Sequence, residues 1–147
     1  MDRSLAIPLT ALVGGLIALQ APINSHLGRN IGTFQAAFLS FAIGTTLLLG
    51  IALVAGGGLG QLSEVSNVAW YYLLGGILGA AYVTTVLVTV RTLGAGGVTA
   101  ATIAGQLTIS VIADHFGWLG VERDPINAAK VAGVLLLASG TFLIVRG

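Results

Sequence analysis

Two carboxamides four residues apart, Gln20 and Asn24, flank Pro22 in an otherwise apolar run, and a later run carries Thr99, Thr102, Gln106, Ser110 and Asp114 at steps of three and four. Helical spacing puts Gln20 and Asn24 on one face of their helix and the five later residues on one side of theirs. A proline inside a helix removes a backbone hydrogen bond and frees a carbonyl, here close to both amides. The chemistry on offer is neutral hydrogen bonding to a ligand, with Asp114 as the one acid available for a proton or an ion. Catalytic chemistry has nothing to rest on. There is no set of nucleophile, base and orienting group, and no metal-ligand spacing. The glycine runs at Gly56 to Gly60 and Gly94 to Gly97 lack the Lys and Ser/Thr of a phosphate loop. Cysteine is absent, which excludes thiolate metal sites and disulfides. No enzyme activity, cofactor, metal or nucleic-acid partner is expected.

The elements that hold these residues are set by the bilayer. Of 147 residues, 6 are Lys or Arg and 5 are Asp or Glu, 56% are hydrophobic, and the mean hydropathy is +0.99. A soluble domain carries about 25% charged residues, so this is an all-α integral membrane protein. A hydrocarbon core about 30 Å thick needs about 20 apolar residues at 1.5 Å rise. That ruler gives one transmembrane domain over 1–147 with five spans, near 5–27, 33–55, 68–90, 98–118 and 126–145. The loops between them are too short for a separate extramembrane domain. The first span is too long for a signal-peptide core and lacks a small-residue cleavage site after it, so it is expected to be retained.

Five spans put the termini on opposite sides. With Arg91 placed in the third loop, Arg3, Arg123 and Lys130 fall on the N-terminal side, and Arg29, Arg91 and Arg146 on the other. Orientation follows the Lys/Arg excess of short loops, and this balance predicts insertion in both directions. Trp70, Tyr71 and Tyr72 open the third span and Phe116 and Trp118 close the fourth, as interfacial anchors.

Small residues let membrane helices approach closely. Gly75 and Gly79 form a GxxxG in the third span, Ala36, Ser40 and Gly44 share a face of the second, and Gly133 and Gly140 lie one heptad apart on the fifth. The last pair is the candidate subunit contact; the others read first as packing within the chain. Gln20 and Gln106 both fall within about 6 Å of the midplane, so they can meet at one depth. Two readings of Gln20, Asn24 and Gln106 stay open: interhelical hydrogen bonds, or contacts to a substrate. Asp114 also has two. Buried, desolvation would raise its pKa and suit it to proton or ion coupling; at the headgroups it is an interfacial charge in reach of Arg123.

The run Gly15 to Gly28, GLIALQAPINSHLG, and the run Gly105 to Gly120, GQLTISVIADHFGWLG, resemble the YdcZ-like family of proposed inner-membrane exporters, a five-helix branch of the drug/metabolite transporter superfamily. The resemblance covers nearly the whole chain and implies a multi-pass protein of the bacterial inner (cytoplasmic) membrane. Larger members of that superfamily have ten helices as two inverted five-helix repeats, and small members work as antiparallel dimers. Gly133 and Gly140 are similar to the glycine heptad on the dimerising last helix of small multidrug exporters. Those exporters carry a glutamate in the first helix, which this chain lacks, so proton coupling and a cationic substrate do not follow from the resemblance.

The resulting expectation is a small transporter subunit that pairs as an antiparallel, ten-helix homodimer. It alternates access around Gln20, Asn24, Gln106 and Ser110, with Asp114 as the coupling candidate and Gly133 and Gly140 at the dimer contact. Its partners are then membrane lipid, a small-molecule solute of amphipathic or zwitterionic character, and a second copy or a related five-helix chain. The alternative is a non-transporting partner subunit of a heteromeric membrane complex.

Overall fold

With almost no polar side chains to hold water, the backbone must satisfy its own N–H and C=O groups, and helices do this within one segment. The computed structural model describes residues 2–147, and among them there is no strand. The order is α1 (Arg3–Ile31), α2 (Thr33–Val54), 3-10 turns over Gly60–Asn67 and Trp70–Leu74, α3 (Gly75–Phe116), a short 3-10 turn over Trp118–Gly120 and α4 (Ala128–Arg146). Four helical stretches are long and apolar enough to cross a membrane, and one of them, Trp70–Phe116, spans 47 residues. At 1.5 Å per residue that stretch would reach about 70 Å, over twice the hydrocarbon thickness. It is divided at Gly94, where φ is 68° and ψ 171°. That combination is essentially restricted to glycine, and it leaves helical segments of spanning length on either side.

The break corrects the expected third loop. Arg91 lies in the last helical turn before Gly94, not in a loop. The first connection is equally short: Gly32, at φ 99°, is the only residue between α1 and α2. Both prolines of the first span, Pro8 and Pro22, lie inside α1, which runs on to Ile31. Trp70, Tyr71 and Tyr72 sit in a 3-10 turn that leads into α3.

Two compact units divide the chain. One comprises Ile23–Val88. Within it the end of α1 folds against α2 as a hairpin, with Asn24 and Ser40 equally far in sequence from Gly32. Asn24 is buried, and its Nδ2 donates to Ser40 Oγ at 3.0 Å. Ser25, also buried, donates from Oγ to the Leu87 carbonyl at 3.1 Å. Ala36, Ala37, Val83 and Leu87 form the core, with Leu27 against it. A Cβ on Gly79 would lie 3.4 Å from the Phe41 ring, so this glycine of the GxxxG serves packing between α2 and α3.

The other unit comprises the chain up to Pro22 together with Thr89–Gly147. Thr141 Oγ1 donates to the Ala100 carbonyl at 3.0 Å and to the Leu137 carbonyl of its own helix at 2.9 Å. Val98 and Ala100 are buried there, and a Cβ on Gly97 would stand 3.5 Å from Val145. The end of α4 therefore packs antiparallel on the start of the second half of α3. At the other end of α4, Asn127 accepts from the Lys130 backbone N–H at 2.9 Å as N-cap, and Lys130 Nζ pairs with Asp124 at 2.7 Å.

Two measurements follow. Gly94→Ala forces a side chain into a glycine-only conformation at about 1–3 kcal/mol. Its thermal unfolding midpoint in detergent falls below that of the parent; an unchanged midpoint would show that the break tolerates a Cβ. For Asn24 and Ser40, a double-mutant cycle with Asn24→Ala and Ser40→Ala gives a coupling of about 0.6 kcal/mol, the average for hydrogen bonds between membrane helices. Additive losses would mean that the contact contributes nothing.

Candidate functional site

The polar residues of the spans fall into two groups. Hydroxyls are short enough to turn back onto carbonyls. Thr46, Thr108 and Ser139 each donate to the carbonyl four residues earlier, at 2.9, 2.8 and 2.8 Å. Asn24, Ser25 and Thr141 are held across helices as described. These residues are satisfied inside the chain, and Asn24, one of the two first-helix amides, is among them.

The second group is unsatisfied. Gln20, Gln106 and Ser110 are exposed on the single chain, and none of them makes a hydrogen bond among the described residues. Gln20 and Asn24 thus differ in surroundings although they are one helical turn apart. Thr99 and Thr102 are half-buried, on the part of α3 that α4 approaches. The stripe therefore runs from partial cover at Thr99 to open exposure at Gln106 and Ser110.

Asp114 is half-buried in the last turn of α3, which ends at Phe116 before Gly117 in a left-handed conformation. It lines an open polar depression with Val121, Glu122, Arg123 and Asp124. Although Arg123 lines the same depression, no ion pair joins it to Asp114. Arg123 Nε donates instead to the His115 carbonyl at 3.1 Å, because the connection folds back over the helix end. The Asp124 N–H donates to the Asp114 carbonyl at 2.8 Å, and the Ile126 N–H to His115 Nδ1 at 3.1 Å. His115 therefore tethers the connection between α3 and α4, a role that its position beside Asp114 did not reveal.

Gly133 and Gly140 are open: a Cβ on either would meet nothing within 4 Å. No residue of α4 is fully buried, and Leu135, Ala138, Ser139, Phe142 and Leu143 line an apolar groove on it. Sequence reasoning missed Ser25 and Thr141 as helix-holding residues. Nothing in the sequence marks them, since a hydroxyl in a span can equally turn back onto a carbonyl of its own helix.

Residues 5–143 match the family described as "Putative inner membrane exporter, YdcZ". The chain is similar to the Inner membrane protein YdcZ of Escherichia coli (strain K12), 28% identical over 149 residues that cover 99% of this chain and 98% of the relative. No solved structure matches it. A family match from near one end to near the other, joined to helices long and apolar enough to cross a bilayer, places the chain in the inner membrane as a multi-pass protein. The chain belongs to the family described as "Putative inner membrane exporter, YdcZ".

Proposed function

We propose that the chain is half of an exporter, and that two copies of opposite orientation enclose a pathway which alternates access to a midplane site. The observation that carries this reading is that Gln20 and Gln106, both within apolar helical stretches, hydrogen-bond to nothing among the described residues. An amide left unpaired in hydrocarbon costs several kcal/mol. Water, a solute or a second chain must therefore reach these side chains, and a cavity between two copies provides all three. Ser110, one turn from Gln106, belongs to the same surface. Asn24 contributes through whatever capacity its bond to Ser40 leaves.

Inverted pairing is how secondary transporters build a site that opens to either side. Five spans, counting the break at Gly94, give a chain whose two copies can be related by an axis in the membrane plane. The open glycines Gly133 and Gly140 on α4 support that helix as the contact between copies. The neutral character of Gln20, Gln106 and Ser110 favours an amphipathic or zwitterionic solute. Asp114, beside the polar depression, is the candidate for ion coupling. Sliding at the contacts of Gly79 and Gly97 accommodates the rocking.

Because the chain has no cysteine, single cysteines test the reading without a known substrate. A cysteine in place of Gln20 reacts with a membrane-impermeant thiol reagent, whereas one in place of the neighbouring Leu19 does not. Equal inertness of both would remove Gln20 from any water-filled pathway. For orientation, a cysteine at either terminus labels in part from outside intact cells. Labelling of one terminus alone would end the inverted homodimer and favour a related five-helix partner.

A further inference from the structure

Between α2 and α3 the sequence runs Leu59-Gly60-Gln61, Leu62-Ser63-Glu64, Val65-Ser66-Asn67 and then Val68, a triplet pattern that the reading by spans leaves as plain loop. The chain adopts a 3-10 helix over Gly60–Asn67. A 3-10 helix has three residues per turn, so side chains three apart stack in line. The triplet and the helix therefore share one period. Leu59, Leu62, Val65 and Val68 form a single apolar ridge, and Gln61, Glu64 and Asn67 form a polar one. An α-helix would not do this. At about 100° per residue each triplet falls about 60° short of a turn, and Val68 would point opposite Leu59.

The hydrogen bonds fix the same register. Ser63 Oγ donates to the Gly60 carbonyl at 2.8 Å and Ser66 Oγ to the Ser63 carbonyl at 3.1 Å, each three residues back. Asn67 Nδ2 donates to Glu64 Oε2 at 2.8 Å along the polar ridge. Yet 3-10 runs beyond three or four residues are uncommon, and this one spans 8 with nothing of its own chain over it. The ridge residues Leu59, Leu62, Val65 and Val68 are 41, 62, 46 and 44% exposed.

We infer that this segment lies in the plane of the membrane, with its apolar ridge set into the boundary between headgroups and acyl chains. Its position argues for lipid as the occupant. It leaves a membrane-crossing helix at Val54, turns through Gly57 and Gly58, and runs directly into Trp70, Tyr71 and Tyr72, the aromatic residues that mark a membrane interface. Both ends are therefore held at the membrane surface. Its one charge, Glu64, is on the polar ridge, so the attachment rests on apolar insertion, with no basic cluster to draw anionic headgroups.

The test uses spin labels on single cysteines at Leu59, Leu62, Val65, Gln61, Glu64 and Asn67, one at a time, in vesicles of phosphatidylethanolamine and phosphatidylglycerol. Collision with oxygen, which concentrates in lipid, is compared with collision with a water-soluble nickel chelate. The expected result is a period of three: oxygen dominates at Leu59, Leu62 and Val65, and nickel at the other three. Nickel access at all six positions would overturn the inference in favour of a loop in water. Low collision with both reagents along the ridge would overturn it in favour of cover by a second copy or another protein. The six labels are independent, so one variant that fails to fold leaves the period readable from the rest.

Discussion

The demand that every backbone N–H and C=O find a partner inside the bilayer governs how this chain changes direction. Each helix end leaves four donors or four acceptors unpaired, and a long loop at membrane depth would multiply them. The chain answers in two ways. At Gly32 and Gly94 it departs from the helix for a single residue and resumes at once. Elsewhere it uses longer connections whose side chains cap the backbone: Ser63 and Ser66 in one, and Asn127, Arg123 and His115 in the other.

The same demand sorts the polar side chains. A serine or threonine can satisfy itself on its own helix, so its presence in a span says little about a partner. Glutamine cannot settle so readily, and an amide needs several partners for its two donors and its acceptor. Of the two first-helix amides, Asn24 finds its partner in Ser40, whereas Gln20 one turn away makes no hydrogen bond among the described residues. It also gives the transport reading its physical content, since the residues left unpaired are those that a second chain or a solute has to meet.

Much of the architecture was legible because bilayer thickness converts composition into length. The apolar runs are helical in the structure, as four stretches long and apolar enough to cross a membrane, with Trp70, Tyr71 and Tyr72 in a 3-10 turn ahead of α3. The connection around Arg91 was misread, because a charge followed by a glycine cluster looks like a loop when only composition is weighed. Nothing in composition tells that the helix continues through Arg91 and is interrupted at Gly94 alone. The types of the polar residues were legible as well, but their partners were not. The Asn24–Ser40 bond depends on the register that Gly32 imposes on the hairpin, and the tether at His115 depends on a connection folding back over a helix end. Both are tertiary facts that spacing along one helix does not contain.

The one-residue link at Gly32 also bears on how the chain enters the membrane. Helices joined so closely can share a register from the moment both are formed, as the bond from Asn24 to Ser40 across the link illustrates. The polar freight at that tip is small: Arg29 is its one fixed charge, and the Asn30 amide already donates to the His26 carbonyl at 3.0 Å. No hydrophilic segment has to be threaded across the bilayer there, so the work of translocating this end is close to that of moving a single guanidinium.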